Sequence, residues 1–275
     1  MILQSKTLNI KLKNGVKYIT FPKLEEKTQI RHIFSTRIGG VSEGRYSSMN
    51  LSFSNGDTRE NVLKNYKILC ETADIDINNL VLSHQTHTNN VKIVSSKDKG
   101  TGIFKEPFQN IDGLITNTPG VALVTQYADC TPLLFFDPVK KVIACSHSGW
   151  RGTVKEIGKV TVQKMMDNFG SNPGDIIVGI GPCIAKCCYE VDMPVFEEFK
   201  KINYLDLDKI FISKGNGKFM LDTAEANRQI LITAGIDERN IDISDLCTNC
   251  NCSELHSHRA TKGERGNMAA IIELK

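Results

Sequence analysis

The sequence predicts a single α/β domain that extends over residues 1–275. Segments with a helical period and segments with strand-like patterns are interspersed from one end to the other. No internal repeat, low-complexity tract or Pro/Ser-rich linker divides them into separate units. A length of 275 residues is sufficient for one substantial hydrophobic core. A single domain is therefore the simplest arrangement.

Local patterns predict each element in order. An alternating N-terminal stretch turns at Asn14-Gly15 and predicts a hairpin. The first clear helix follows residues 57–61, where Asp57 is suited to cap the helix and Glu60 to reach back. A strand pattern covers residues 80–94, interrupted by the polar run "SHQTHTNN". Further along are strands near 113–116, 121–126, 133–136, 142–146 and 176–180, helices over 152–170 and 222–235, and a closing strand "MAAIIEL".

Composition and charge exclude some classes of function. The 34 basic and 31 acidic residues leave a net charge of +3, and the basic residues are scattered. We therefore expect no nucleic-acid partner and no membrane surface. No segment approaches the roughly 18 apolar residues of a membrane span, and the N-terminus lacks the apolar core of a signal peptide. We expect a soluble, cytoplasmic protein, and both a monomer and a homodimer are compatible with the sequence.

Nine cysteines are a high and odd number for this length. Without a secretion signal, reduced thiols are favoured over a disulfide framework, and most are expected to be small buried side chains. The run "CTNCNC", with Cys247, Cys250 and Cys252, resembles half of a zinc ribbon. A second C-x-x-C pair is missing, although the adjacent Cys187 and Cys188 could contribute ligands. The sequence alone therefore favours free thiols over a structural metal at these positions.

Cys130 and His147 are the strongest candidates for a reactive site. Each lies where an apolar strand meets polar or Gly-rich sequence, and strand ends are where α/β proteins build their sites. The pair fits a histidine-activated cysteine nucleophile or two ligands of a metal. A third ligand would come from "HQTH", in which an extended chain turns His84 and His87 to opposite faces, so that only one serves the site. Cys145 is an alternative to Cys130, and a purely structural thiol is a third interpretation.

Two arginines lie beside glycine-rich turns. In "HSGWRGT", Arg151 stands between two glycines at the predicted start of a helix. Free amides at a helix N-terminus and a guanidinium form a natural anion site. A tight turn with a packed tryptophan explains the same residues, and Arg37 in "STRIGGVS" presents the same choice.

With these segments together, the chain resembles the YfiH-type family, long labelled polyphenol oxidases or laccase-domain proteins and now regarded as purine nucleoside-processing enzymes. The resemblance extends from "STRIGGVSEG" to the C-terminus, and the ordered combination of motifs is specific. It implies a compact α/β domain with layered mixed sheets flanked by helices, similar to the fold of certain cysteine-dependent deamidating toxins. The motifs are "NL" at 50–51, "QTH" at 85–87, "DGLIT" at 112–116, "ADC" at 128–130, "HSGWRG" at 147–152, "GIGPCI" at 179–184, "CCYEV" at 187–191 and "CTNC" at 247–250.

The resemblance also implies a ligand set, in which His87, Cys130 and His147 bind the metal. This sequence departs from the family's pattern near the C-terminus, where relatives tend to have aromatic residues and it has His256 and His258.

The activity that the resemblance implies is that of a purine nucleoside phosphorylase acting on adenosine, inosine and S-methyl-5'-thioadenosine, with adenosine deaminase activity, at a zinc site. Arg37, Arg151 and Arg259 are then candidate phosphate-binding residues. Asp129 either orients a metal ligand or caps a strand end. Cu²⁺ is an alternative metal, because it outcompetes Zn²⁺ at most nitrogen and sulfur sites.

Two other activities remain as alternatives. A multicopper oxidase needs a histidine-rich cluster besides a blue copper site, and the chain has six histidines in all. A copper-dependent polyphenol oxidase is therefore less compatible with the composition. A cysteine hydrolase acting on an amide, such as a cell-wall precursor peptide, would use Cys130 as nucleophile and His147 as base.

Overall fold

The computed structural model describes residues 3–275, and within that range sixteen strands alternate with eight α-helices. The strands are β1 (Asn9–Lys13), β2 (Val16–Thr20), β3 (Ile30–Ser35), β4 (Leu80–His84), β5 (Val91–Ile93), β6 (Phe108–Gln109), β7 (Gly113–Thr116), β8 (Ala122–Tyr127), β9 (Thr131–Asp137), β10 (Val142–Ser148), β11 (Ile177–Ile180), β12 (Glu190–Asp192), β13 (Phe211–Gly215), β14 (Lys218–Leu221), β15 (Ile241–Ile243) and β16 (Met268–Leu274). The helices are α1 (Pro22–Glu25), α2 (Arg59–Ala73), α3 (Trp150–Val154), α4 (Ile157–Phe169), α5 (Met193–Lys200), α6 (Leu207–Ile210), α7 (Thr223–Thr233) and α8 (His258–Thr261).

Two large mixed sheets share the central core. The first sheet has seven strands in the order β1-β2-β3-β16-β8-β4-β6, and the second has six in the order β15-β11-β9-β10-β7-β5. Their inner faces meet in one cluster of buried side chains. Phe34, Leu123 and Ile272 of the first sheet belong to it together with Leu134 and Phe136 of the second.

Helices cover the outer faces of both sheets. α2 packs Val62 and Tyr66 against the first sheet, while α4 and α7 pack against Leu133 and Phe135 of the second. Because successive strand residues point to opposite faces, the run 133–136 is apolar throughout. The result is a helix, sheet, sheet, helix layering, which confirms the predicted α/β class with layered mixed sheets flanked by helices.

A small third sheet, in the order β12-β14-β13, forms its own apolar cluster with α5, α6 and α7. The rings of Phe196 and Phe219 stack within it, with centroids 4.4 Å apart. The loop between β11 and β12 connects this sheet to the second large sheet. That loop contributes Ile184 and Tyr189 to the wall of a cavity at the ends of the central strands.

Several predicted elements are confirmed and three differ. The N-terminal hairpin turns at Asn14 and Gly15, which both have positive φ. The predicted strand over 80–94 is two strands, β4 and β5, which lie in different sheets. The cap of α2 is Thr58, whose side chain accepts a hydrogen bond from the N–H of Asn61. Asp57 instead accepts from the N–H of Thr58.

The helix predicted over 152–170 is divided into α3 and α4. Glu156 separates them because it takes a left-handed conformation with φ of 55°. Gly170, with φ of 66°, ends α4 as predicted. Among residues 3–275, no helix is long and apolar enough to cross a membrane.

Candidate metal centre

Three strand ends bring His87, Cys130 and His147 together. β9 and β10 pair antiparallel with Thr131 opposite Ser148, so Cys130, just before β9, lies beside His147, near the end of β10. His87 reaches the same point from the loop after β4. One potential ligand atom of each residue lies within 4.8 Å of the others, and Cys130 Sγ is 3.8 Å from His87 Nε2. The predicted side chains therefore form a compact cluster of one thiol and two imidazoles.

A buried carboxylate, Asp112, organises this cluster. Its Oδ1 accepts hydrogen bonds from the backbone N–H of His87 at 3.0 Å and from Nδ1 of His147 at 2.9 Å. Its Oδ2 accepts from the backbone N–H groups of Thr86 at 3.2 Å and Thr88 at 2.8 Å, and from the Thr88 hydroxyl at 2.7 Å. With Nδ1 of His147 donating to the carboxylate, Nε2 is the nitrogen whose lone pair the neutral ring offers to a metal.

The same contacts set the conformation of His87. Three consecutive N–H groups turn toward Asp112, and His87 takes a left-handed φ of 63°. The expected alternation of faces therefore ends with β4 at His84. The His84 side chain is exposed, and its Nδ1 lies 2.9 Å from Oε1 of Gln109. His87, and not His84, belongs to the cluster.

Gly149 leaves the space that the cluster needs. A Cβ atom at this position would lie 2.8 Å from Cδ2 of His87 and 3.0 Å from Sγ of Cys130. Both distances are shorter than ordinary van der Waals contact, so the His87 ring or the Cys130 thiol would have to shift to admit a side chain. A side chain at position 149 is therefore incompatible with this geometry.

The cluster is strongly coupled electrostatically. Burial raises the pKa of the Cys130 thiol, but the neighbouring imidazoles of His147 and His87 outweigh it and hold that pKa well below its usual value. Burial lowers the pKa of His147, yet Cys130 and Asp112 raise it above the ordinary value. Burial also raises the pKa of Asp112, and hydrogen bonds from His147 and Thr88 outweigh it, so that this carboxyl stays ionised. The metal-free cluster therefore favours a thiolate beside an imidazolium.

The donor set fits a zinc ion. A thiolate and two imidazole nitrogens are zinc ligands, and three protein ligands leave one tetrahedral position open, as in catalytic sites. Asp112 is the kind of carboxylate that holds a metal-binding imidazole in one tautomer. The lowered pKa of Cys130 favours the deprotonated ligand that a metal requires. The same donors also suit Cu²⁺.

The cluster opens into a cavity of about 480 Å³. Two aromatic side chains line it, and each carries an arginine over its ring. The guanidinium carbon of Arg151 lies 4.3 Å from the ring centroid of Trp150, and that of Arg259 lies 5.3 Å from the ring centroid of Tyr189. Arg265 also lines the cavity. The cavity thus combines a thiol–imidazole cluster suited to a metal, aromatic faces and positive charge.

Of the three predicted phosphate-binding arginines, Arg151 and Arg259 line the cavity and Arg37 does not. Arg37 donates from Nε to the carbonyl of Ser47 and from Nη1 to the carbonyl of Cys252, both at 2.7 Å, so its guanidinium holds two loops together. Sequence reasoning missed Arg265, whose buried Nε has no hydrogen-bond partner among residues 3–275. Arg265 reaches the cavity because of the position of β16, and no local sequence pattern predicted this.

Asp129 is the next residue to Cys130, but its carboxylate points elsewhere. Its Oδ1 accepts from the hydroxyl of Thr248 and its Oδ2 from the N–H of Arg259, each at 2.6 Å. Asp129 therefore connects the start of β9 to the loop of Thr248 and to α8. The carboxylate that orients His147 is Asp112.

The remaining predicted candidates lie outside the cluster. Cys145 is fully buried between the sheets, and burial raises the pKa of its thiol to about 12. His256 is also buried, whereas His258 is exposed at the start of α8 and lines the cavity. The helix that was predicted to start beside Arg151 is α3, which begins directly after Gly149 and has five residues.

Comparisons with known proteins indicate the family of the chain. The profile described as multi-copper polyphenol oxidoreductase laccase matches residues 31–275. Purine nucleoside phosphorylase YlmD of Bacillus subtilis (strain 168) is 36% identical over 244 residues, which are 88% of this chain and 87% of YlmD. Adenosine deaminase RL5, from an unknown prokaryotic organism, is 33% identical over 230 residues, which are 82% of this chain and 87% of RL5.

Solved structures support the same relationship. The crystal structure of the hypothetical protein YfiH of Bacillus licheniformis superimposes with a TM-score of 0.91 at 34% identity, and the match covers 97% of this chain and 99% of that one. The fold, the long profile match and the similarity to YlmD lead to one conclusion: this chain belongs to the YfiH-type, multi-copper polyphenol oxidoreductase laccase family.

Proposed function

We propose that this chain is a purine nucleoside phosphorylase that acts on adenosine, inosine and S-methyl-5'-thioadenosine and also deaminates adenosine, at a zinc site formed by His87, Cys130 and His147. The observation that carries the proposal is the position of this cluster in the wall of a cavity that also presents arginines. Its volume of about 480 Å³ falls within the roughly 300–1,000 Å³ of small-molecule sites. The relatives named purine nucleoside phosphorylase YlmD and adenosine deaminase RL5 indicate the substrate class.

A zinc ion held by these residues supplies Lewis-acid chemistry. The chain itself positions the ligands. Asp112 keeps the Nδ1 proton of His147 and thereby presents Nε2. Gly149 keeps the adjoining space free of a side chain. Copper binds the same donors, and the metal content of the purified protein decides between the two.

Phosphorolysis needs a site for an anion. In this reaction a phosphate oxygen bonds to C1' of the ribose while the bond from C1' to the purine nitrogen breaks, and the products are the free base and ribose 1-phosphate. Arg151, Arg259 and Arg265 line the cavity and are the residues that we propose to bind phosphate. The orphaned Nε of Arg265 is a buried donor that a phosphate oxygen can satisfy.

Product analysis tests this proposal. Zinc-loaded protein is incubated with adenosine, with and without phosphate, and adenine, inosine and hypoxanthine are separated by chromatography. The proposal predicts adenine and hypoxanthine that form only with phosphate, and inosine that accumulates without phosphate. Both activities fall to background in Cys130→Ala and survive in Cys252→Ser, a partly exposed cysteine outside the cluster. Absence of turnover in both buffers, with metal confirmed at the cluster, would refute the proposal.

A specific observation favours a second candidate function. Cys130, His147 and Asp112 are connected in the order of a catalytic triad, and the charges favour a thiolate. A metal-free cysteine amide hydrolase would use these residues as nucleophile, base and orienting carboxylate. Such an enzyme would be active after zinc removal, would be independent of phosphate and would be inactivated by iodoacetamide. The phosphorylase is expected to lose activity when zinc is removed.

A further inference from the structure

A second cluster of cysteines lies outside the catalytic cavity. Cys187 and Cys188 belong to the loop between β11 and β12, whereas Cys247 and Cys250 belong to the loop after β15. Their four sulfur atoms all lie within 4.8 Å of one another. Sγ of Cys250 is 3.5 Å from Sγ of Cys187 and 3.4 Å from Sγ of Cys188. The fold thus completes the half ribbon "CTNC" with the pair "CC".

We propose that Cys187, Cys188, Cys247 and Cys250 bind a second, structural zinc ion. A tetrahedral zinc with Zn–S distances of about 2.3 Å holds its sulfurs about 3.8 Å apart. The separations of Cys250 Sγ from Cys187 Sγ and Cys188 Sγ, 3.5 and 3.4 Å, lie within about 0.4 Å of this value, and no pair of the four sulfurs is more than 4.8 Å apart. Four thiolates occupy every tetrahedral position, so the site is closed, in contrast to the open cluster at His87. Sulfur ligands select zinc over the hard ions magnesium and calcium.

Hydrogen bonds to sulfur support the proposal independently. The backbone N–H of Ala185 donates to Sγ of Cys247 at 3.4 Å, and Nδ2 of Asn249 donates to Sγ of Cys188 at 3.1 Å. A thiolate accepts such bonds more strongly than a thiol does, and outer donors of this kind are typical of sulfur-bound metal sites. Two of the four sulfurs therefore already have partners suited to their charged form.

The site would connect the loops that form one wall of the catalytic cavity. Thr248, within the C-x-x-C turn, donates to Asp129, the neighbour of Cys130. The carbonyl of Cys188 accepts from Nη1 of Arg259 at 3.4 Å. A zinc ion would thus hold in place the backbone that orients Arg259. This consequence for catalysis rests on the proposed function, whereas the metal site itself does not.

Metal counting tests the proposal. The full chain and three variants are purified under reducing conditions, supplied with zinc, freed of loosely bound metal on a desalting column and measured by mass spectrometry of the elements. The double variant Cys187→Ser/Cys250→Ser should hold one zinc fewer per chain than the parent, and Cys252→Ser should hold the same number. Cys130→Ser should lose the zinc ion proposed at the cluster of His87, Cys130 and His147. An unchanged count in the double variant, or iron in place of zinc, would overturn the proposal.

The count remains informative whatever the activity assay gives. If the catalytic cluster binds no zinc, the parent holds one ion and the double variant none. The two proposals therefore fail separately.

A protection experiment on the parent protein avoids any dependence on the variants' folding. Cys187 and Cys250 are exposed, so burial does not shield them from iodoacetamide. Zinc should slow their alkylation at least tenfold relative to protein treated with a chelator, with no change at Cys252. Equal alkylation with and without zinc would overturn the proposal. A disulfide between these cysteines in freshly isolated, zinc-free protein would overturn it in favour of a redox pair.

Discussion

Replacement of Asp112 by asparagine tests the organisation of the catalytic cluster. The substitution keeps the shape of the side chain and replaces one oxygen by an NH₂ group. In the parent protein, the Asp112 carboxylate accepts five hydrogen bonds, three of them from consecutive backbone N–H groups of residues 86–88. An amide nitrogen cannot accept any of them. Either orientation of the introduced amide therefore leaves donors unpaired.

The two orientations have different costs. If the amide nitrogen replaces Oδ2, the partly buried N–H groups of Thr86 and Thr88 lose their acceptor, at up to about 1–3 kcal/mol for each donor. If it replaces Oδ1, the N–H of His87 is unpaired and Nδ1 of His147 must accept a hydrogen bond from the amide. The single N–H proton of the neutral imidazole then resides on Nε2, the nitrogen that a metal needs. We expect a loss of about 1–6 kcal/mol in the free energy of unfolding and a 10–100-fold loss of zinc affinity.

Two assays separate these effects. Urea unfolding of the metal-free proteins gives the stability change without a contribution from bound zinc. Competition with a chromophoric chelator gives the zinc affinity. Asp137→Asn is the matched control, because Asp137 is equally buried and accepts from two backbone N–H groups at the opposite end of β9. Both N–H groups bond to Oδ1 of Asp137, so the amide oxygen of Asp137→Asn can retain them, and this variant should keep the parental zinc affinity. A zinc affinity of Asp112→Asn within twofold of the parent would refute the role given to this carboxylate.

Three further predictions follow from the same structure. Gly149→Ala should abolish zinc binding at the catalytic cluster, because the added Cβ would meet His87 and Cys130 at 2.8 and 3.0 Å; zinc competition measures this. His256→Phe should flatten the pH dependence of stability: burial lowers the pKa of His256 to about 3 from 6.5, so the unfolded chain gains the proton first as pH falls. The parent should lose about 1.3 kcal/mol more unfolding free energy than the variant between pH 7 and 5.5. Arg151→Ala should raise the KM for phosphate about tenfold or more, because a charge-assisted hydrogen bond contributes about 1.5–3 kcal/mol.

Controls are available for these variants. Gly174→Ala adds a methyl group that meets its nearest neighbours at 3.8 Å, so it should keep parental zinc affinity. Arg239→Ala removes an exposed arginine paired with Asp237 and should keep the parental KM for phosphate. The first prediction would be contradicted if Gly149→Ala bound zinc at the catalytic cluster. The second would be contradicted if the parent and His256→Phe lost the same unfolding free energy between pH 7 and 5.5. The third would be contradicted if Arg151→Ala had the parental KM for phosphate.

Local sequence signals predicted the elements that carry two of the three ligands. The alternating runs before and after "DPVKK" predicted β9 and β10, and their antiparallel register places Cys130 beside His147. The Asn14-Gly15 hairpin, the C-terminal end of α4 and the ends of α7 were also predicted by residues within a few positions of the turn or cap. Such features depend on local backbone preferences, which the sequence displays directly.

Features that depend on long-range contacts gave no such signal. The left-handed turn at His87 is held by a carboxylate 25 positions away, and family resemblance alone distinguished His87 from His84. Arg37 and Arg151 both stand beside glycines, yet only Arg151 lines the cavity. Cys187 and Cys250 are 63 positions apart and meet only because β11 and β15 pair. Burial and proximity of this kind are properties of the folded sheets.

The most direct test of phosphorolysis at the His87–Cys130–His147 cluster is a zinc titration under turnover conditions. Metal-free parent protein, with the wall of the cavity intact, receives increasing zinc in saturating phosphate and inosine, while hypoxanthine and ribose 1-phosphate are quantified beside a Cys130→Ala control. We predict that both products appear in equal amounts, rise together with added zinc to a plateau, and are absent without phosphate and in the control. Turnover that does not depend on zinc would contradict the account, and so would hypoxanthine released without ribose 1-phosphate.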